Sequence, residues 1–262
     1  MDIWESPPWL VYLGTALLIA LAIELGFRLG RAVSRRSEAE KEAPVSAITG
    51  TVLALLAFML AFTFGIVANR YDSRKELVRE QAITISTAYA RTDFLPEPDG
   101  GDAKTLFHTY MDVLLDAGDP ANADDLPARI AQLNGINDQL WAMGVANTRL
   151  DPGSEMLALY MDALNSMGDV QALRVAVAVQ AKIPDGIWTA LIALIVLAMV
   201  AVGYQTAIAK SRRSWVLVLL ALSFSTVITL IAMLDNPESG YLGVSQQPLV
   251  DVQTAMQADA AP

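Results

Sequence analysis

The chain has 262 residues, 54% hydrophobic and only 18% charged, with mean hydropathy +0.40, a formal net charge of −10 and a sequence pI near 4.5. Soluble domains are about 45–50% apolar and about a quarter charged, so this composition excludes a soluble enzyme and a secreted disulfide scaffold, and the acidity excludes a nucleic-acid binder. With no cysteine and one histidine, His108, the chain offers no Cys/His zinc site, thiol chemistry or haem attachment.

The apolar excess lies in four runs. The first goes from Pro8 to about Phe27 and the second from Val45 to Ala68, the third from Gly186 to Ala209 and the fourth from Ser214 to Leu234. About 20 residues at 1.5 Å each cross a ~30 Å hydrocarbon layer, so each run predicts a transmembrane helix. The first run is not expected to be a cleavable signal peptide, because Asp2 and Glu5 stand where a basic leader should be. Trp4, Trp9, Trp188 and Trp215 fall at predicted ends, where amphipathic rings prefer to sit.

Basic residues set the expected orientation. Arg28, Arg31, Arg35, Arg36 and Lys41 follow the first run, and Lys210, Arg212 and Arg213 follow the third. Positive loops are retained in the cytoplasm, so both termini and the long insert after the second run are expected outside. Glu24 sits one turn before Arg28, in place for an i, i+4 ion pair at the membrane interface.

The insert, residues 69–185, holds ten Lys/Arg against eighteen Asp/Glu. Its apolar residues recur at helical spacing: Leu106, Phe107, Tyr110, Val113 and Leu114 after an Asp102 cap, then Leu126 to Trp141, then Leu157 to Met167 after the turn Asp151–Ser154. Three or four helices are predicted and no strand. Between Gly65 and Leu95 there is neither proline nor glycine, so the second membrane helix can leave the bilayer as an uninterrupted stalk. Pro184 predicts a break before the third. The expected organisation is therefore 1–68 with two membrane helices (8–27 and 45–68) and a basic loop, 69–185 as an acidic helical domain, 186–234 with the other two membrane helices, and 235–262 as an extramembrane tail.

No motif carries catalytic chemistry. The acidic loops Glu97–Asp102 and Asp116–Asp125 lack the ligand spacing of a calcium loop, and no metal, cofactor or enzymatic activity is expected. The second run is the informative one. Ala57, Ala61 and Gly65 make a narrow stripe suited to close helix packing, and Phe58, Phe62 and Ile66 make the adjacent one. In a single copy these are packing or lipid contacts; in a ring of copies, tiers of bulky apolar residues form a constriction that gates by dewetting. At the outer membrane surface, Arg70, Asp72 and Arg74 follow the second run and Asp235 ends the fourth, placing a carboxylate within reach of Arg70 or Arg74.

The strings Arg70-Tyr71-Asp72-Ser73-Arg74, Ala88-Tyr89-Ala90-Arg91-Thr92-Asp93-Phe94-Leu95-Pro96, Gly26-Phe27-Arg28-Leu29-Gly30-Arg31 and Asp235-Asn236-Pro237-Glu238-Ser239-Gly240, with Glu80, Arg174 and Ile183-Pro184, resemble an uncharacterised bacterial membrane family labelled bestrophin-like. The resemblance spans most of the chain and implies an inner-membrane protein. Similarity to true bestrophins implies a homo-oligomer, a pentamer, conducting ions through a neck of second helices lined at Phe58, Phe62 and Ile66. True bestrophins keep their helical domain in the cytoplasm, whereas the basic loops here place it in the periplasm. No bestrophin calcium clasp is recognisable. Selectivity stays open, since acidic loops concentrate cations and the resemblance points to anions. The alternative is a membrane-anchored periplasmic scaffold or sensor that binds a protein partner; membrane lipid is a partner in either case. A secondary transporter would show repeats with broken helices, and a receptor signalling alone would need more cytoplasmic chain than these short loops provide.

Overall fold

The computed structural model of the protein describes residues 7–34, 42–119, 122, 125–177 with the backbone of 178–180, 183–209, 215–236 and 243–259. Among them are eight α-helices and no strand: α1 (Pro8–Ser34), α2 (Glu42–Ala90), α3 (Asp99–Ala117), α4 (Leu126–Leu150), α5 (Glu155–Gln180), α6 (Asp185–Ile208), α7 (Trp215–Asp235) and α8 (Gln247–Asp259). Helices α1, α2, α6 and α7 are long and apolar enough to cross a membrane. The basic residues Arg35, Arg36, Lys41, Lys210, Arg212 and Arg213, together with Trp4, Asp124 and Pro237–Gly240, lie outside the described residues.

Without a breaker after Gly65, α2 continues to Ala90, about 74 Å at 1.5 Å per residue. A 3₁₀ turn, Arg91–Phe94, ends it just before Pro96. Pro44 is tolerated near its start, where the first backbone N–H groups have no intrahelical partner. Pro184 is extended at the entry to α6, so α5 and α6 are separate helices.

The chain divides into two compact units, Met1–Tyr71 with Lys182–Leu242 and Asp72–Ala181 with Gly243–Pro262. The first unit packs Ile19 and Ile23 of α1, Leu56, Leu60 and Val67 of α2, Leu191, Ile195 and Met199 of α6, and Ile228 and Ile231 of α7 into one core. Its tightest crossing is α1 on α6. A Cβ added to Gly26 would overlap the Val200 carbonyl, and one added to Gly203 would overlap the carbonyl of Ile23. On Gly30 it would come within 2.8 Å of the Ala207 Cβ. Gly26 and Gly30, like Gly203 and Ala207, are four residues apart, the spacing that lets two backbones touch along one face. Three buried hydroxyls in this unit are satisfied within their own helices: Thr49 donates to the Val45 carbonyl, Thr63 to Met59 and Ser225 to Ala221, at 2.8–2.9 Å. Arg28 Nε and Glu24 Oε1 form the i, i+4 pair at 2.9 Å.

The second unit has its own core, with Phe107, Tyr110 and Met111 of α3, Leu133 and Leu140 of α4, and Tyr160, Leu164 and Met167 of α5, against Val78, Ala82 and Ile85 of α2. The α3 helix starts at Asp99, three residues before the Asp102 cap that the sequence pattern points to. Gly100 fits inside that first turn because a Cβ there would press on the carbonyls of Thr92 and Leu95 at 3.3 Å. Ser154 does cap α5, accepting from the Leu157 N–H at 3.3 Å. Residues 247–259, which carry no strong apolar period, form α8 and contribute Leu249 and Met256 to this core. Lys104 Nζ bridges Asp93 (2.8 Å) and Asp259 (3.2 Å), while Tyr89 Oη also donates to Asp259 at 3.1 Å, tying the end of α8 to α2, α3 and the 3₁₀ turn. Hydrogen bonds from Lys104 and Tyr89 hold the Asp259 carboxyl below the usual carboxylate range. His108 meets Tyr89 edge-on, centroids 5.8 Å apart.

The α1–α6 crossing yields a direct test. Gly203→Val should overpack it and destabilise the protein by about 2–3 kcal/mol or prevent its folding, whereas Gly50→Val, at a position with nothing within 4 Å, should be far milder. Thermal unfolding of both variants in the same detergent checks this; equal midpoints would show that the contact between the two backbones carries no stability.

Candidate functional site

The membrane half of α2 has two unlike sides. One is buried and carries Thr49, Leu56, Leu60, Thr63 and Val67, at spacings of three, four and seven that keep them on one face. The other side carries both stripes marked in the sequence. Phe58 and Phe62 are 65% and 56% exposed within the single chain and stack on each other, with centroids 6.5 Å apart and planes at 17°. Ile66 is half-buried. Ala57 and Ala61 are exposed, and a Cβ on Gly65 would meet nothing within 4 Å. The small stripe therefore has no partner helix among the described residues of its own chain.

This outward side differs in composition from the exposed sides of its neighbours. On α1 the exposed residues include Leu10, Leu13, Leu17, Leu21 and Leu25, and on α7 Val216, Leu219 and Leu222. Such branched aliphatic residues suit lipid chains, and they stand there beside exposed Gly14 on α1 and Ser223 and Thr226 on α7. Bare alanines and a glycine at four-residue spacing suit another helix.

Further along α2, Arg70 reaches the residue that ends α7. Asp235 is 7% exposed, and its carboxylate draws on three elements. Oδ1 accepts from the Ile183 N–H at 2.9 Å and lies 3.6 Å from Arg70 Nη1, and Oδ2 accepts from Trp188 Nε1 at 3.2 Å. A carboxylate at a helix C-terminus opposes the helix dipole, so it is stable there only because charged and N–H donors surround it. Of the expected charge cluster, the structure brings Arg70 and Asp235 together within the first unit. Asp72, exposed, and Arg74, buried, belong to the second.

The sequence pattern does not single out Trp188 and the Ile183 N–H. Trp188 stands at a predicted membrane boundary and reads there as an interfacial ring, but it is 4% exposed and its indole points inward to Asp235. The available signal was chemical: a buried indole N–H requires an acceptor, and Asp235 is the acid that ends the fourth apolar run. No cluster of three or more His, Cys, Asp or Glu suited to a metal occurs among the described residues.

Asp235→Ala should lower stability by about 2–4 kcal/mol, because it removes the buried acceptor of the Trp188 indole and the Ile183 N–H and the carboxylate that faces the half-buried Arg70. Asp235→Asn, which keeps an acceptor for the N–H donors, should cost roughly half as much. Asp125→Ala, at an exposed position, should change stability by no more than about 0.5 kcal/mol. Denaturant titrations of purified protein compare the three; equal effects of Asp235→Ala and Asp125→Ala would mean that this junction bears no load.

Among known protein families, a Bestrophin-like domain matches residues 16–249 of the chain. No curated protein and no solved structure matches it.

Proposed function

The chain belongs to the bestrophin-like family, and from that premise we propose that several copies form a closed ring whose second helices line an ion-conducting pore. Phe58, Phe62 and Ile66 face the axis, and Ala57, Ala61 and Gly65 pack against the α2 of a neighbouring copy. The observation that carries this reading is the outward stripe of small residues at four-residue spacing, without a partner helix among the described residues, beside a stacked phenylalanine pair on α2. Lipid gains nothing from a bare glycine, whereas a second helix approaches closely there and gains contact along its length.

In such a ring the phenylalanines narrow the path to an apolar neck. Water leaves a narrow apolar tube readily, and an ion cannot cross without its hydration, so the neck is closed when dry and conducting when widened. The helical unit and both termini lie on the periplasmic side of a bacterial inner membrane in this reading, following the basic residues after the first and third membrane helices.

Phe62→Ala should widen and wet the neck, raising ion flux through reconstituted protein, while Gly65→Leu should separate packed helices and abolish assembly. If the chain is instead a membrane-anchored scaffold, Phe62→Ala is only a lost packing contact of about 1–3 kcal/mol and conducts nothing. Single-channel recording in planar bilayers discriminates the two. Silence from both wild type and Phe62→Ala, in a preparation shown to be intact and oligomeric, would reject the pore.

A further inference from the structure

The part of α2 that belongs to the second unit has a covered side and a bare one. Val78, Ala82 and Ile85 enter the core of this unit, and Gln81 is fully buried beside them. Ser73, Glu76, Arg79, Glu80, Ile83 and Ser86 are exposed, at the three- and four-residue spacings that place them along the opposite side of the helix. Ile83, a bulky apolar side chain, is 65% exposed.

Three charges on the bare side have no counterpart in their own chain. Among the described residues Glu76, Arg79 and Glu80 form no salt bridge and no side-chain hydrogen bond. Other cations of this unit do find carboxylates: Arg91 pairs with Asp162, Lys104 with Asp93 and Asp259, and Arg129 with Asp116. Glu76 and Glu80 are also one turn apart on the same helix, where like charges repel.

Consecutive residues of an α-helix point about 100° apart. Arg79 and Glu80 therefore stand on opposite flanks of the bare side at almost the same level, with Glu76 and Ile83 between the flanks. In a ring of identical parallel helices, the symmetry brings one flank of each copy against the other flank of the next. The flank with the arginine then meets the flank with the glutamate at every interface.

We propose that in the closed ring Arg79 of each copy pairs with Glu80 of the neighbouring copy, so that a belt of ion pairs joins the α2 stalks and the same contact covers Ile83. The occupant of this surface is a second copy of the chain, and charge complementarity assigns it: a partner of one sign would meet like charge on one of the two flanks. A single exposed ion pair contributes little. Ring symmetry repeats this one at every interface, and charge pairs across an interface fix register and reject wrong neighbours. The inference rests on the closed-ring reading and does not depend on whether the ring conducts.

The test uses the full chain in lipid nanodiscs and native mass spectrometry. Arg79→Glu and Glu80→Arg each set like charges against one another at every interface. Closed rings of either variant alone should be about tenfold or more scarcer than those of wild type, a shift of about 1.4 kcal/mol for the whole ring. Co-expressed with tags of different mass, the two variants should recover rings that contain both, because Arg79→Glu in one copy then faces Glu80→Arg in the next. A defect confined to one chain is not relieved by a second chain, so recovery on mixing reads the contact between copies alone. Unimpaired rings of both variants, or no recovery on mixing, would overturn the pairing and leave the ring standing. Absence of rings from wild type would reject the ring and the pairing with it. Where a charge reversal prevents folding, co-expressed Arg79→Cys and Glu80→Cys chains replace it, since the native chain has no cysteine. A short bis-maleimide should link the two tags within the ring; rings that contain both tags without that link would overturn the pairing.

Discussion

The first unit depends on how a single buried carboxylate is satisfied. Asp235 sits at the negative end of α7, where its charge is least welcome. Every donor that stabilises it comes from another segment: Arg70 from α2, the Ile183 N–H from the approach to α6, and Trp188 from the first turn of α6. One side chain therefore holds three helices at a common level. Removing Asp235 takes the shared acceptor from all three donors at once, which makes the junction cooperative.

The junction also orients α2 about its axis. Arg70 follows Val67 by three residues, on the side of the helix that carries the buried stripe from Thr49 through Leu60. With Arg70 held against Asp235, the opposite side of α2 must face away from its own bundle. Phe58, Phe62, Ala57, Ala61 and Gly65 are on that outward side because of where the arginine is anchored. The α1–α6 contact completes the frame. Helices surrounded by lipid gain little from apolar burial alone and are held by backbone proximity, which Gly26, Gly30 and Gly203 provide.

Much of this was legible in the sequence where the deciding physics is local. Four long apolar runs, the stalk without breakers after Gly65, the interruption at Pro184 and the Glu24–Arg28 pair each depend on neighbours within a turn or two. The all-helical class follows from period and composition in the same way. Contacts between distant segments were harder to read. Gly26 and Gly30 stand out in the sequence only as part of a family-like string, since nothing local says that Gly203 crosses them. Trp188 has the position of an interfacial ring, and only the fold brings Asp235 beneath its indole. Residues 247–259 show little periodicity because they bury just Leu249 and Met256, too few to mark a helix beforehand. The Asp102 cap was displaced to Pro98 because a first turn tolerates glycines that would break a helix interior. For the candidate site, the sequence marks which α2 residues form stripes. That both stripes face outward required the position of Arg70.

What covers the outward side of α2 decides whether the second helices can enclose a pore. Native mass spectrometry of the wild-type protein released from lipid nanodiscs, without crosslinker, measures this directly. A closed ring of identical copies, five by analogy with bestrophins, is the predicted result. A monomer or a dimer, stable across protein concentrations and lipid compositions, would contradict it, since neither can enclose a path lined by Phe58 and Phe62.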